Sequence, residues 1–322
     1  MPAEQDRKNS TTQGAFRFWT PPEGRVVLAG AERQPIPLPR IPLPLHPSAL
    51  ADGDPADDAI GCGIYDYLRQ FPDCTHNRLY AELLRDAFSH YIADLAATIV
   101  MLDHKEVDAP YVQRKVSSLK ILSLLDPDNV GLQLHLGLSY LDLGLMFSEL
   151  RCCRGHLLSA MKHLQRVATC RPDDAPALNA LGQVDYLFGD YPAAARRWRR
   201  AAGILGEGEA ANSLLSKAAA IEGSELPDHP LVDELETIGE AMALQAAGEV
   251  RQALVLLERL EEQGRVVIEF PSAQFYFLLG VCRQACGETA GAFDAYERAL
   301  ALDPAFHQAE AARESILSGG ER

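Results

Sequence analysis

The strongest constraint on this chain is a spacing pattern that recurs along it. Two stretches, residues 175–206 and 273–304, carry a Leu-Gly pair followed by glycine, alanine and aromatic residues at matching offsets. The first copy has Leu181, Gly182, Gly189, Tyr191, Ala194, Trp198 and Ala201, and the second has Leu279, Gly280, Gly287, Ala292, Tyr296, Ala299 and Pro304. Weaker copies cover residues 130–174 and 234–265, and a faint one covers residues 77–127.

This pattern has a simple physical meaning. Gly182 and Ala194 leave room for two helices to approach closely, and Trp198, or Tyr296 in the second copy, fills the space between hairpins. A single helix hairpin cannot bury its apolar face alone, so the copies must stack. The spacing resembles the tetratricopeptide repeat, a helix hairpin of about 34 residues. The resemblance implies an all-α solenoid of antiparallel helix hairpins wound as a right-handed superhelix.

We predict three segments. Residues 1–53 form a Pro-rich extended arm that is partly disordered, residues 54–174 form modified repeats with over-long helices, and residues 175–322 form regular repeats with a C-terminal capping helix. One over-long helix should run from Asn77 to Leu102. Another should run from about Ser148 to Cys170 and overhang its neighbours, because an in-phase apolar stripe continues through the extra residues.

The arm carries alternating prolines from Pro35 to Pro44, which exclude a helix and favour an extended chain. Only one short strand, at Arg25 to Leu28, is expected. The arm is either a strap on the protein's own surface or a ligand for a polyproline-reading domain. Because its spacer residues are apolar, we expect it to cover the binding groove until a client displaces it; the competing account is fixed structure.

Composition restricts the partners. The net charge is −15, which disfavours nucleic-acid binding. The N-terminal residues lack the apolar run of a signal peptide, and no stretch approaches the length of a membrane helix. The seven irregularly spaced cysteines indicate reduced thiols rather than a disulfide framework. We therefore predict a cytoplasmic protein that binds neither nucleic acid nor membrane.

Chemistry-bearing residues do not form a recognisable motif. Cys152, Cys153 and His156 lack a fourth ligand, and Cys62, Cys74 and His76 lack a recognised ligand spacing. Arg196, Arg197, Arg199 and Arg200 surround Trp198; they are either a solvated helix face or a site for an acidic tail. The prediction is no catalysis, no cofactor and no metal.

The resemblance implies that the first helix of each repeat lines a concave groove for a partner protein. The corresponding residues here are Leu134, Leu138, Leu141, Asn179, Gln183, Tyr186, Leu187, Ile238, Met242, Gln245, Phe277, Val281 and Gln284. Their mostly apolar character favours an amphipathic helix or an extended apolar segment over a charged chain end. The predicted function is an adaptor for a client protein. A self-associating scaffold, forming a homo-oligomer, and an accessory subunit of an enzyme complex are the alternatives.

Overall fold

The computed structural model describes residues 15–30, 33–51, 53–103, 108–223 and 227–319. The chain divides into two compact units, residues 1–139 and 140–322. The three segments predicted from the sequence, residues 1–53, 54–174 and 175–322, were defined by sequence pattern and not by packing. They stay a prediction. The predicted disorder concerned part of residues 1–53, of which residues 1–14, 31–32 and 52 lie outside the described residues.

The first unit begins with two antiparallel strand pairs. Strand β1 (Arg17–Trp19) pairs with β4 (Leu43–Leu45), with Phe18 opposite Pro44. Strand β2 (Val26–Ala29) pairs with β3 (Gln34–Pro37), with Val27 opposite Ile36. The prolines fit because these two-stranded ladders consist only of edge strands, where a missing N–H is tolerated. Four short strands therefore occupy a segment for which we expected one.

Four helices follow the strands and a short 3₁₀ turn at Pro47–Leu50. They are α1 (Asp57–Gln70), α2 (Asn77–Ala87), α3 (Ser89–Asp103) and α4 (Ala109–Leu125). Helix α5 (Val130–Leu145) contains the boundary between the two units.

The arm belongs to the core of the first unit. Leu43 and Leu45 are fully buried, and they share one apolar cluster with Ile60 and Ile64 of α1. Strand β4 lies so close to α1 that a methyl group on Gly63 would come within 2.5 Å of the Pro44 carbonyl oxygen. The described part of the arm is thus fixed structure, and our expectation of a displaceable groove cover is wrong for these residues.

The predicted helix from Asn77 to Leu102 is two helices. The chain leaves helical geometry at Phe88, with φ −135° and ψ 49°, and α3 starts at Ser89. The Phe88 ring is buried, and a methyl group on Gly61 would lie 2.7 Å from it. Packing of this ring against α1, which a helix-period pattern cannot report, accounts for the break.

The second unit consists of helix hairpins. It contains α6 (Cys153–Cys170), α7 (Ala175–Leu187), α8 (Tyr191–Leu205), α9 (Glu209–Gly223) and α10 (Leu231–Ala246). These are followed by α11 (Val250–Gln263), α12 (Arg265–Glu269), α13 (Ala273–Ala285), α14 (Thr289–Leu302) and α15 (His307–Gly319). The prediction of an all-α stack of antiparallel hairpins is confirmed.

The repeated glycine meets the aromatic ring of its own hairpin, whereas we expected Trp198 and Tyr296 to fill the space between hairpins. A methyl group on Gly182 of α7 would lie 2.6 Å from the Trp198 indole of α8. The equivalent group on Gly280 of α13 would lie 2.5 Å from the Tyr296 ring of α14. Both aromatic side chains are buried, so each hairpin closes by fitting a ring over a residue without a side chain.

The irregular repeat does not form the predicted helix from Ser148. Residues Phe147–Cys152 form a 3₁₀ helix, and α6 starts only at Cys153. The 3₁₀ helix packs closely on α10, where a methyl group on Gly239 would lie 2.2 Å from the Arg151 backbone nitrogen. Arg154 then pairs with Asp233 and Glu236 of α10. The extra residues are packed within the unit and do not overhang it.

Within the described ranges, no single helix combines the length and apolar character needed to cross a bilayer. Residues Val130–Leu145 and Phe147–Cys170 meet these criteria only when taken together, across a bend of 104°.

Candidate functional site

The second unit contains a cleft of about 500 Å³, which we call the Trp198 cleft. Its apolar walls come from α5, α7, α8, α9, α10 and the residue after α12. The wall residues with the largest apolar side chains are Leu145, Tyr186, Leu187, Trp198, Ile221, Leu231 and Phe270. Its polar contributors include Gln183, Lys217 and Glu269. A cleft of this size and lining can take apolar side chains together with a few oriented polar groups.

The aromatic side of the cleft is held rigidly. The Trp198 indole N–H donates to the Asn179 carbonyl oxygen at 3.2 Å, and Gly182 lies beneath the ring. The Tyr186 ring lies 5.8 Å from the Trp198 ring and 5.3 Å from the Tyr191 ring, measured between centroids. These rings are positioned by the repeat itself, so the cleft wall exists before any partner arrives.

Another part of the cleft lining depends on a departure from the repeat. Helix α9 packs its Ala211, Leu214 and Ala218 face on the α8 cluster. Among the described residues it packs mainly on α8, whereas α10 packs on the 3₁₀ helix at Phe147–Cys152. Ile221 continues this face of α9 by one turn and, with the neighbouring Ala220, lines the cleft. The cleft thus opens where the regular stacking of hairpins is interrupted.

The polar groups beside the cleft already have partners. The Tyr186 hydroxyl donates to Glu269 Oε2 at 2.9 Å, and Arg265 Nε contacts Glu269 Oε1 at 2.8 Å. Arg265 also donates to the Tyr191 hydroxyl at 3.0 Å. Burial, reinforced by the bond to Glu269, raises the pKa of Tyr186 to about 12. This hydroxyl therefore stays protonated near neutral pH and serves as a fixed donor.

Lys217 is the cleft's exposed cation. Its Nζ lies 5.7 Å from the centroid of the Trp198 ring, within cation–π distance. The long side chain can bury its methylene groups along an apolar surface while its ammonium group stays in water. Lys217 therefore marks the solvent-facing rim of the cleft. Its ammonium group can attract acidic residues that flank a bound segment.

The predicted groove residues divide into those in the cleft and those elsewhere. Gln183, Tyr186 and Leu187 of α7 line the Trp198 cleft together, and Asn179 supports its tryptophan. Leu141 and Ile238 are buried, so they pack the interior and present no surface to a partner. The half-buried residues outside the cleft are Leu134 and Leu138 of α5, Met242 and Gln245 of α10, and Phe277 and Val281 of α13.

Two of the predicted residues on α13 are engaged within the chain. The Phe277 ring lies 5.1 Å from the Phe306 ring and 5.9 Å from the Tyr296 ring. Gln284 is exposed, and its Oε1 accepts a hydrogen bond from the Tyr296 hydroxyl at 2.7 Å. Partner binding by this part of the predicted set stays a prediction.

Sequence reasoning missed the rest of the cleft lining. It contains Lys217, Ala220 and Ile221 of α9, Leu231 of α10, and Glu269 and Phe270 at the end of α12. A signal was available, since residues 209–223 form a helical stretch between two copies and match neither of them. An unassigned helix between repeats indicates that the next hairpin must pack differently.

Two other groups singled out in the sequence are Cys152, Cys153 and His156, and the arginines around Trp198. Cys153 is buried, Cys152 is exposed, and His156 contacts Glu149 at 3.2 Å. Within the arginine group, Arg197 pairs with Asp185 at 2.6 Å and Arg200 with Asp173 at 3.1 Å. Arg199 pairs with Glu222. Acidic neighbours in the same unit thus hold these three arginines, in agreement with the interpretation as an ordinary helix face.

No protein-family model matches the chain, and no curated protein matches it. Structures similar to it include MamA, at 17% identity and a TM-score of 0.26, covering 61% of this chain and 90% of MamA. The protein TTC0263, described as a thermophilic TPR protein in Thermus thermophilus, has 15% identity and a TM-score of 0.28, covering 70% and 98%. A tetratricopeptide repeat protein from Parabacteroides merdae has 14% identity and a TM-score of 0.27, covering 81% and 93%.

The chain's own hairpins decide the fold. Gly182 under Trp198 and Gly280 under Tyr296 repeat one arrangement in two hairpins. This is a tetratricopeptide-like repeat fold.

Proposed function

We propose that this chain is a non-catalytic interaction protein whose Trp198 cleft binds an apolar segment of a partner protein. The observation that carries the proposal is the pre-formed aromatic wall of Trp198 and Tyr186, which lines one cleft together with Ile221 and Phe270. Aromatic residues held in a concave site are the usual anchors of protein interfaces, because they bury a large area with little loss of rotamer freedom.

The chemistry of the cleft favours binding over catalysis. Tyr186, Glu269 and Arg265 already satisfy one another, and Tyr186 keeps its proton near neutral pH. General acid–base catalysis needs a group that titrates near the working pH and lies within reach of a substrate. The partner we propose is an amphipathic helix or an extended segment with an apolar anchor side chain. A cytoplasmic location stays the prediction from the sequence.

The test uses two neighbouring alanines on α9. Ala220 and Ala219 are both exposed, but only Ala220 lines the Trp198 cleft. Ala220→Arg should fill the cleft with a long charged side chain, whereas Ala219→Arg adds the same side chain outside it. Exposed helix substitutions of this kind change stability by only about 0.5 kcal/mol or less.

The full chain and both variants are used to capture proteins from the native host, followed by quantitative mass spectrometry. We expect a protein that is retained by the wild type and Ala219→Arg and is depleted at least tenfold by Ala220→Arg. Equal capture by all three proteins would refute the cleft as the binding site. If the captured protein is another copy of this chain, and only Ala220→Arg fails to capture it, the occupant of the cleft is a second copy and not a client.

A further inference from the structure

A second group of side chains lies in the first unit. His46 follows strand β4, whereas Cys62 and Asp66 lie one turn apart on one face of α1. His46 Nε2 lies 2.9 Å from Asp66 Oδ2, and Cys62 Sγ lies 3.6 Å from the same oxygen. The imidazole nitrogen, the thiol sulfur and the carboxylate oxygen of these three residues lie within 4.8 Å of one another.

Close packing of the arm on α1 creates this group. Gly63 allows the Pro44 carbonyl to approach α1, and a methyl group there would come within 2.5 Å of its oxygen. His46 is two residues after Pro44, so this approach carries its imidazole to the α1 face that holds Cys62 and Asp66. The Phe16 ring, 5.1 Å from the His46 ring between centroids, packs against it.

The three donors match the preferences of a zinc ion. Zinc binds thiolate sulfur at about 2.3 Å and imidazole nitrogen or carboxylate oxygen at about 2.0–2.2 Å, usually in a tetrahedron. Tetrahedral angles then place sulfur and oxygen ligands about 3.5 Å apart, close to the 3.6 Å between Cys62 Sγ and Asp66 Oδ2. The His46–Asp66 hydrogen bond would be replaced by two bonds to the ion.

We propose that His46, Cys62 and Asp66 form a zinc site that pins the Pro-rich arm to α1. On binding, the Cys62 thiol gives up its proton to water, His46 binds as neutral imidazole, and water completes the tetrahedron. The side chains of His46 and Asp66 are 37% and 33% exposed, which leaves the ion a path from solvent. The sequence predicted no metal because the histidine comes from the arm and the other two ligands from a helix.

The test measures zinc on the full-length protein. After incubation with Zn²⁺ and gel filtration, elemental analysis should find one equivalent in the wild type. Cys62→Ser and His46→Gln should each lower retained zinc at least tenfold. Cys152→Ser and Cys170→Ser remove exposed thiols outside the group and should leave the stoichiometry unchanged. Binding of Co²⁺ should give a thiolate-to-cobalt absorption band that Cys62→Ser abolishes.

A second readout separates ligand loss from misfolding. Trp19 in β1 packs against the core that contains the arm leucines, so its fluorescence reports on the arm. In a Trp198→Phe background, zinc should raise the unfolding midpoint reported by Trp19 when the three ligands are intact and leave it unchanged when a folded variant also carries His46→Gln. Failure to retain zinc, retention that survives both ligand substitutions, or loss in the exposed-cysteine controls would overturn the proposal.

Discussion

In the first unit, leucines from a proline-rich strand fill the space between helices, whereas in the second unit a glycine facing an aromatic ring closes each regular hairpin. Leu43 and Leu45 are fully buried by residues outside their own strand, including Ile60 and Ile64. Gly182 and Trp198 meet within a single hairpin. The first solution depends on contacts between separate elements, and the second is encoded locally and can be repeated along the chain.

The difference explains where a cleft can form. A repeated local solution leaves each hairpin complete, so a change in how the next hairpin packs does not unfold it. In the second unit, α10 packs on the 3₁₀ helix at Phe147–Cys152, and the wall with Trp198 stays intact. The interruption can therefore leave a cleft beside a hairpin that is itself complete.

The largest effect should come from the arm. Leu45→Ala removes a fully buried side chain and should lower the free energy of unfolding by about 2–5 kcal/mol. The matched control is Leu28→Ala in β2, which is 43% exposed and should cost less than about 1 kcal/mol. Denaturation followed by Trp19 fluorescence in a Trp198→Phe background gives both values. If both variants lose equally little free energy of unfolding, the arm is a surface strap and not part of the core.

The next effect concerns the close contact in the irregular repeat. Gly239→Ala places a methyl group 2.2 Å from the Arg151 backbone nitrogen, and overpacking of this kind should cost about 1–3 kcal/mol. Gly203→Ala in α8 meets no atom within 4 Å and should be neutral or stabilising by up to about 1 kcal/mol, from helix propensity. Denaturation followed by Trp198 in a Trp19→Phe background distinguishes them. Similar denaturation midpoints for the two variants would show that the 3₁₀ helix does not pack tightly on α10.

The smallest effect compares two helix starts with the same local sequence. Asp174 and Asp108 each precede an Ala-Pro pair, but only the Asp174 side chain caps its helix, accepting from the Ala177 N–H at 3.0 Å. Asp174→Ala should cost about 1 kcal/mol, and Asp108→Ala should cost less. Midpoints from urea denaturation measure both. A larger loss at Asp108 would show that the first unit uses local helix signals as strongly as the second.

The same contrast determines what the sequence could predict. Close helix approach at Gly182 was predicted because this glycine recurs in the repeat, and the structure places the Trp198 ring of the same hairpin over it. The break at Phe88 was missed because it depends on Gly61 of another helix. The rest of the cleft lining was missed because Ile221 lies on a helix that matches no copy, while Gln183 and Tyr186 were identified from their repeat positions.

The central claim is that an apolar segment of a partner protein occupies the Trp198 cleft, and site-specific photo-crosslinking in the native host tests it most directly. A photoreactive amino acid is placed at position 220, which lines the cleft, and separately at position 219, which does not. The account predicts an adduct with an apolar peptide of one other protein from position 220 and none from position 219. Equal adducts from both positions, or none from position 220 while a partner is still captured, would contradict it.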